Sequence, residues 1–229
     1  MRLIKQHDTL SVQNLDDRAS TNKESKHGLL FPDSIRSLIC GPSNCGKTNL
    51  MLSLIYDPKG LRFENIYLFA KSLQQPKYRK LAQILEPLKD IRFFEYEDNS
   101  QVPPPKEALP NSIIIFDDIA CDKQDNVRSY FCMGRHSGVD IFYLSQSYTR
   151  VPKHLVRENA NFLILFRQDE LNLRRIYDDH INSDMEFQTF RKICHWCWKD
   201  DRYGFLVLDK DRQINDGRYR KGFGAYIIP

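Results

Sequence analysis

The chain of 229 residues has no long hydrophobic run. Nothing in it approaches the roughly 18 consecutive apolar residues that a bilayer-spanning helix needs. The opening MRLIKQHDTL lacks the apolar stretch of a signal peptide, so the expectation is a protein that stays in the compartment where it is made and contacts no membrane. No regular cysteine framework is present. The six cysteines (Cys40, Cys45, Cys121, Cys132, Cys194 and Cys197) are scattered and, without a secretion signal, read as reduced thiols. Cys194 and Cys197 have C-x-x-C spacing, yet no second pair completes a tetrahedral metal set, so they read as buried helix packing. No Ser-His-Asp or Cys-His set stands out. There is also no large excess of one charge: 34 Lys+Arg face 30 Asp+Glu, a net charge of +4, which by itself does not point to nucleic acid.

What is present is a globular balance, 41% apolar, 12% aromatic and 28% charged. It suffices for one domain with a sizeable core. Residues 1–27 are polar and without periodicity and read as a mobile N-terminal arm; residues 28–229 read as the folded domain, ending in a basic tail. The basic residues are unevenly spread. Residues 128–157 hold Arg128, Arg135, Arg150, Lys153 and Arg157 against one acid, and residues 202–229 hold six basic residues against three acids. These stretches read either as ordinary solvated surface or as patches for a polyanion.

From Ser34 onward, short β runs alternate with helical segments. Strands are expected at 34–40, 65–70, 91–96, 112–116, 139–144, 161–166 and, last, 203–208, with helices at 49–56, 78–88 and 125–133 and through much of 169–198. Alternation of this kind predicts an α/β fold with a mostly parallel sheet and helices on both faces. Ligands in such sheets bind beyond the carboxyl ends of the strands.

Three of those ends carry informative residues. The first is Gly41-Pro42-Ser43-Asn44-Cys45-Gly46-Lys47-Thr48, a complete G-x-x-x-x-G-K-T between a strand and a helix, the context that identifies a P-loop. Its backbone N–H groups and the helix N-terminus suit phosphate oxygens. Lys47 can reach the β- and γ-phosphates of ATP, Thr48 can ligate Mg²⁺, and Asn49 completes the nucleotide-binding stretch. The second is IIIF ending in Asp117-Asp118: Asp117 fits the role of holding Mg²⁺, and Asp118, pointing the other way along the strand, could polarise the attacking water. The third is YLS ending in Gln146, placed to bond the γ-phosphate or the lytic water. An arginine is expected to stabilise the transition state, often from a neighbouring subunit. Arg135 is the first candidate, Arg157 the second and Arg150 the third.

Taken together, GPSNCGKTNL, SIIIFDDI and GRHSGVDIFYLSQSY resemble the FtsK–HerA branch of P-loop ATPases, and within it the genome-packaging ATPases of large eukaryotic DNA viruses and Polinton-like elements, the poxvirus type among them. The resemblance runs from about Ser34 to the C-terminus. It implies a three-layer, RecA/FtsK-like sheet with an additional strand between the P-loop strand and the paired-Asp strand. It also implies a homo-oligomeric ring that pumps double-stranded DNA into a preformed capsid, contacting the DNA backbone and a capsid or portal protein. The place implied is a viral assembly site in the host cytoplasm or nucleus, or the virion itself. On this resemblance Lys47, Thr48, Asp117, Asp118 and Gln146 occupy Walker A, Walker B and sensor positions. One departure is Asp118, where many relatives have Glu. Other readings of the same motifs are a HerA-like pump in repair or plasmid transfer, a P-loop small-molecule kinase, and a nucleotide-binding assembly protein without hydrolysis.

Overall fold

The computed structural model describes residues 26–119, 123–199 and 202–229. Among the described residues nine strands form one sheet: β1 (Arg36–Cys40), β2 (Asn65–Ala70), β3 (Arg92–Tyr96), β4 (Ser112–Asp117), β5 (Val139–Ser145), β6 (Phe162–Leu165), β7 (Leu206–Asp209), β8 (Tyr219–Lys221) and β9 (Ala225–Ile227). Their order is β3-β2-β4-β5-β1-β6-β7-β8-β9. The first six strands run parallel; β7, β8 and β9 add antiparallel pairs at one edge. β5 sits between β1 and β4, so the inserted strand implied by the family resemblance is present.

The sheet is covered on both faces, which is why β2, β4 and β5 are buried along their whole length and read as continuous apolar runs. Successive side chains of a strand point to opposite faces. Ile113 and Ile115 therefore join the core beneath α1 (Lys47–Tyr56) and α2 (Pro76–Leu85). Ile114 and Phe116 join the core beneath α3 (Asp125–Met133), α4 (Glu170–Ile176) and α5 (Phe187–Lys199). Each such aliphatic side chain contributes about 2 kcal/mol by leaving water. α1 is less buried than its apolar sequence predicts: Met51, Leu54 and Ile55 face the sheet, while Tyr56 is exposed.

Two expected boundaries change. The N-terminal arm was expected to include His27, but that ring is buried. Its Nδ1 accepts from the Arg62 N–H at 2.9 Å and its Nε2 meets Asp140 at 2.8 Å. Lys26 and the Ile35 N–H also reach Asp140, at 2.6 and 2.7 Å. Burial opposes ionisation of Asp140, but His27 and Lys26 outweigh it and hold the carboxyl below its ordinary range. The rest of the expected arm, residues 1–25, lies outside the described residues.

The second change is at the C-terminus, where the basic segment is no tail. It continues the sheet as β7, β8 and β9, and its charges are largely used inside the fold. Arg220 is buried and donates to Asp209, to the Gly217 carbonyl and to the Leu30 carbonyl at 2.6–2.7 Å. Arg218 pairs with Asp184 and Arg212 with Asp209. Guanidinium donors paired this way are costly to expose, so Arg218 and Arg220 act inside the fold.

Candidate active site

The loop from Gly41 to Thr48 wraps the carboxyl end of β1. Gly41 donates its N–H to the Ser145 carbonyl at 3.1 Å, tying the loop to β5. A Cβ on Gly41 would lie 2.6 Å from the Phe166 Cβ and 2.7 Å from the Cys45 Sγ, so only glycine fits. Asn44 (φ 61°) and Gly46 (φ 106°) take the left-handed backbone that curls the loop into the start of α1. Lys47 is buried and its ammonium donates to the Gly41 and Pro42 carbonyls at 2.6 and 3.0 Å. A bound phosphate would offer that ammonium a charged acceptor in place of neutral ones. Pro42, Ser43 and Asn44 are exposed on the loop, and Asn49 is exposed on the first turn of α1. Burial pushes the Cys40 thiol up to about 12 and raises that of Cys45, so both are inert packing groups near the loop.

Asp117 ends β4, and the Thr48 hydroxyl donates to its Oδ2 at 3.4 Å. The two expected metal ligands thus meet. Among the described residues no group of three or more His, Cys, Asp or Glu side chains could hold a metal. A hydroxyl and a carboxylate on one side of a phosphate loop suit Mg²⁺, which takes oxygen ligands and keeps waters and substrate phosphates in its shell. A third side chain was not anticipated. Tyr78, at the start of α2, is buried and hydrogen-bonds the same Oδ2 of Asp117. In the sequence it reads only as one of a helical series with Leu81 and Leu85; nothing local marks its hydroxyl. Burial raises the Asp117 carboxyl above its ordinary range, opposed by the Tyr78 hydrogen bond and by Lys47. Burial and Asp117 together raise the Tyr78 phenol.

Asp118 does not continue the strand as expected. It leaves β4 in the left-handed region at φ 56°, at a cost of order 1 kcal/mol for a residue with a Cβ. The turn exposes its carboxylate, which accepts from the Gln146 amide at 3.0 Å. The residues after Gln146 are bound to α4: Ser147 Oγ and the Thr149 N–H both donate to Asn172 Oδ1, at 3.1 and 2.9 Å. The Tyr148 hydroxyl reaches Asp179 and His180, each at 2.8 Å.

The arginine candidates separate. Arg157 is inside the domain: it donates to Asp179 at 2.6 Å and lies 5.0 Å from the centre of the Tyr148 ring, with 11% of its side chain exposed. In this structure it is an internal strut, and reaching a neighbour would break its ion pair with Asp179 and leave that carboxylate with the Tyr148 hydroxyl alone. Arg135 is exposed in the turn between α3 and β5, at the amino end of the parallel strands and so at the far end of the sheet from its own loop. Arg150 is exposed in the segment after Gln146. Cys194 and Cys197 are buried on α5; Cys121 lies outside the described residues. No helix among the described residues is long and apolar enough to cross a membrane.

No protein-family model matches this sequence, and no curated protein matches it. Solved structures do align with it. The genome packaging NTPase B204 from Sulfolobus turreted icosahedral virus 2, in complex with sulfate, superposes with a TM-score of 0.53 at 16% identity, covering 78% of this chain and 92% of that one. Its complex with AMP gives 0.51 at 14% identity, with 78% and 94% covered. B204 from Sulfolobus turreted icosahedral virus, described as a DNA-packaging ATPase, gives 0.52 at 16% identity, with 79% and 94% covered. At such identities the likeness is one of fold, and together with the sheet order and the phosphate loop it establishes the three-layer α/β architecture of P-loop NTPases for this chain.

Proposed function

We propose that this chain is a Mg²⁺-dependent ATPase that works as a homo-oligomeric ring and drives double-stranded DNA, with packaging of a viral genome into a preformed capsid as its task. The observation that carries the reading is the convergence of Lys47, Thr48, Asp117, Asp118 and Gln146 at neighbouring strand ends. The fold shared with a viral genome packaging NTPase supports the choice of task.

In this reading Lys47 leaves the loop carbonyls for the β- and γ-phosphates, and the loop N–H groups and the start of α1 hold the remaining oxygens. Thr48 and Asp117 would hold Mg²⁺, which, when bound, neutralises phosphate charge and orients the terminal phosphoryl group. Asp118 accepts a proton from the attacking water, and the Gln146 amide holds that carboxylate in place. Arg135 of a neighbouring subunit supplies positive charge to the transition state, since its own loop is a sheet length away. The Gln146 amide also bonds the terminal phosphate in this reading; loss of that phosphate would free it, and the shift would pass along Ser147–Thr149 to α4. Exposed Arg150 and Lys153 follow in the same segment. We place the grip on the DNA backbone there, where contact with phosphates ignores base sequence. A capsid or portal protein at a viral assembly site completes the proposal.

The test is ATP turnover of the purified chain with and without double-stranded DNA, beside Lys47→Ala. Turnover stimulated by DNA and abolished in a folded Lys47→Ala protein is expected. Turnover indifferent to both changes would sink the reading.

A further inference from the structure

The two carboxylates and the amide expected at the terminal phosphate lie on one side of the phosphate loop. Asp117 and Asp118 come from the end of β4 and Gln146 from the end of β5, and both strands lie on the same side of β1. The base and ribose are attached at the end of the triphosphate away from its terminal phosphate, and with that phosphate at the β4 and β5 side the flank left open to them is the one beyond β6 and β7. That flank is built from aromatic and cationic side chains. Phe166, one residue past β6, packs against both glycines of the loop: a Cβ on Gly41 would lie 2.6 Å from its Cβ, and one on Gly46 3.6 Å from its Cε1. The next residue, Arg167, lines a cavity of about 500 Å³ together with His195, Trp196, Trp198 and Lys199 from the end of α5. Ligand pockets are commonly of this size and aromatic lining.

The aromatic walls are held in place. Trp198 is nearly buried and donates its indole N–H to the Leu165 carbonyl at 2.9 Å. Trp196 is 49% exposed, and the Lys221 ammonium lies 4.5 Å from the centre of its ring. Tyr203, between α5 and β7, lies outside the cavity lining and against the loop; a Cβ on Gly46 would sit 3.2 Å from its Cδ1. That ring is 47% exposed and carries the Arg202 guanidinium 5.5 Å from its centre.

We propose that the cavity between the end of β6 and the end of α5 receives the base and ribose of the nucleotide whose phosphates lie on Gly41–Thr48, with Trp196 and Tyr203 as stacking groups and Arg167 as the polar contact. The inference rests on the phosphate-loop reading, and inorganic tripolyphosphate separates the two, because it carries the phosphates without a base. Trp196 and Trp198 are the only tryptophans in the chain, so intrinsic fluorescence observes the cavity directly.

The full-length protein, with Mg²⁺ present, is titrated with ATP, with ADP and with tripolyphosphate. ATP and ADP are expected to change tryptophan emission. Tripolyphosphate is expected to displace ATP while leaving emission unchanged. Trp196→Ala and Tyr203→Ala, both at well-exposed positions, should each weaken ATP binding about tenfold, as loss of one base-stacking contact does, with tripolyphosphate affinity within about twofold of wild type. If both variants bind ATP as wild type does while Lys47→Ala does not, the base site is overturned and the phosphate loop stands. If tripolyphosphate does not bind and Lys47→Ala leaves ATP affinity unchanged, the phosphate-loop reading falls and takes this inference with it.

Discussion

Arg157→Ala separates an internal strut from a group that acts on a neighbouring subunit. The substitution removes a guanidinium that donates to Asp179 at 2.6 Å and packs over the Tyr148 ring. Asp179 keeps the Tyr148 hydroxyl at 2.8 Å as a donor. Removing one partner of a buried ion pair costs about 3–5 kcal/mol. The Asp179 side chain is 17% exposed, so water partly compensates and the lower end applies, about 3 kcal/mol including the lost cation–ring contact. In a domain of this size each kcal/mol moves Tm by about 2–4 °C, so a fall of roughly 6–12 °C is expected. The assay is thermal unfolding without nucleotide, of Arg157→Ala, Asp179→Ala and the double variant. The double should be less destabilised than the two singles added together, because the charges compensate each other. An Arg157→Ala protein that melts within about 1 °C of wild type yet loses turnover would refute the strut and return Arg157 to a role in trans.

Two further outcomes follow from the site and its surroundings. His180 is buried, with Lys210 Nζ 3.4 Å from its Nδ1 and the Tyr148 hydroxyl 2.8 Å from its Nε2. Burial, then Lys210, pulls its pKa down to about 3, with Asp179 opposing and Arg157 assisting. The unfolded chain therefore binds a proton that the folded one refuses, and stability is lost as pH falls below about 6.5. From His180 alone the loss at pH 5 is about 2 kcal/mol; the gap in Tm between pH 7.5 and pH 5 should narrow in His180→Asn, and an unchanged gap would refute the assignment. For Arg135, mixing Arg135→Ala with Lys47→Ala subunits should restore partial turnover, because some interfaces then pair an intact loop with an intact arginine. Two variants that co-assemble without regaining any activity would rule out Arg135 as the group in trans.

Much of the central sheet is readable from local patterns. β2 and β4 are β-branched and aromatic runs buried on both faces, and burial on both faces leaves the same signature in sequence as in structure. The phosphate loop is equally local, since its function needs contiguous backbone and one helix start. β8 and β9 have no such signature: three residues each, paired antiparallel, with Arg220 and Lys221 among them. Their charges look solvated until Asp209 and the Leu30 carbonyl are placed beside Arg220. The same holds for His27, whose partner Asp140 lies 113 residues away, and for Arg157, whose partner is on the segment after α4.

By itself, then, the amino-acid order determined which segment has the pattern of a phosphate loop and which strands are wholly interior, because both depend on neighbours in the chain. Only the tertiary structure decided which charges remain available and which side chains meet across the sheet. Tyr78 reaches Asp117 from α2, Gln146 reaches Asp118 from the end of β5, and Tyr203 lies against Gly46 from the segment before β7. Those contacts join segments far apart in sequence, and their energy depends on desolvation and distance, which no local pattern encodes.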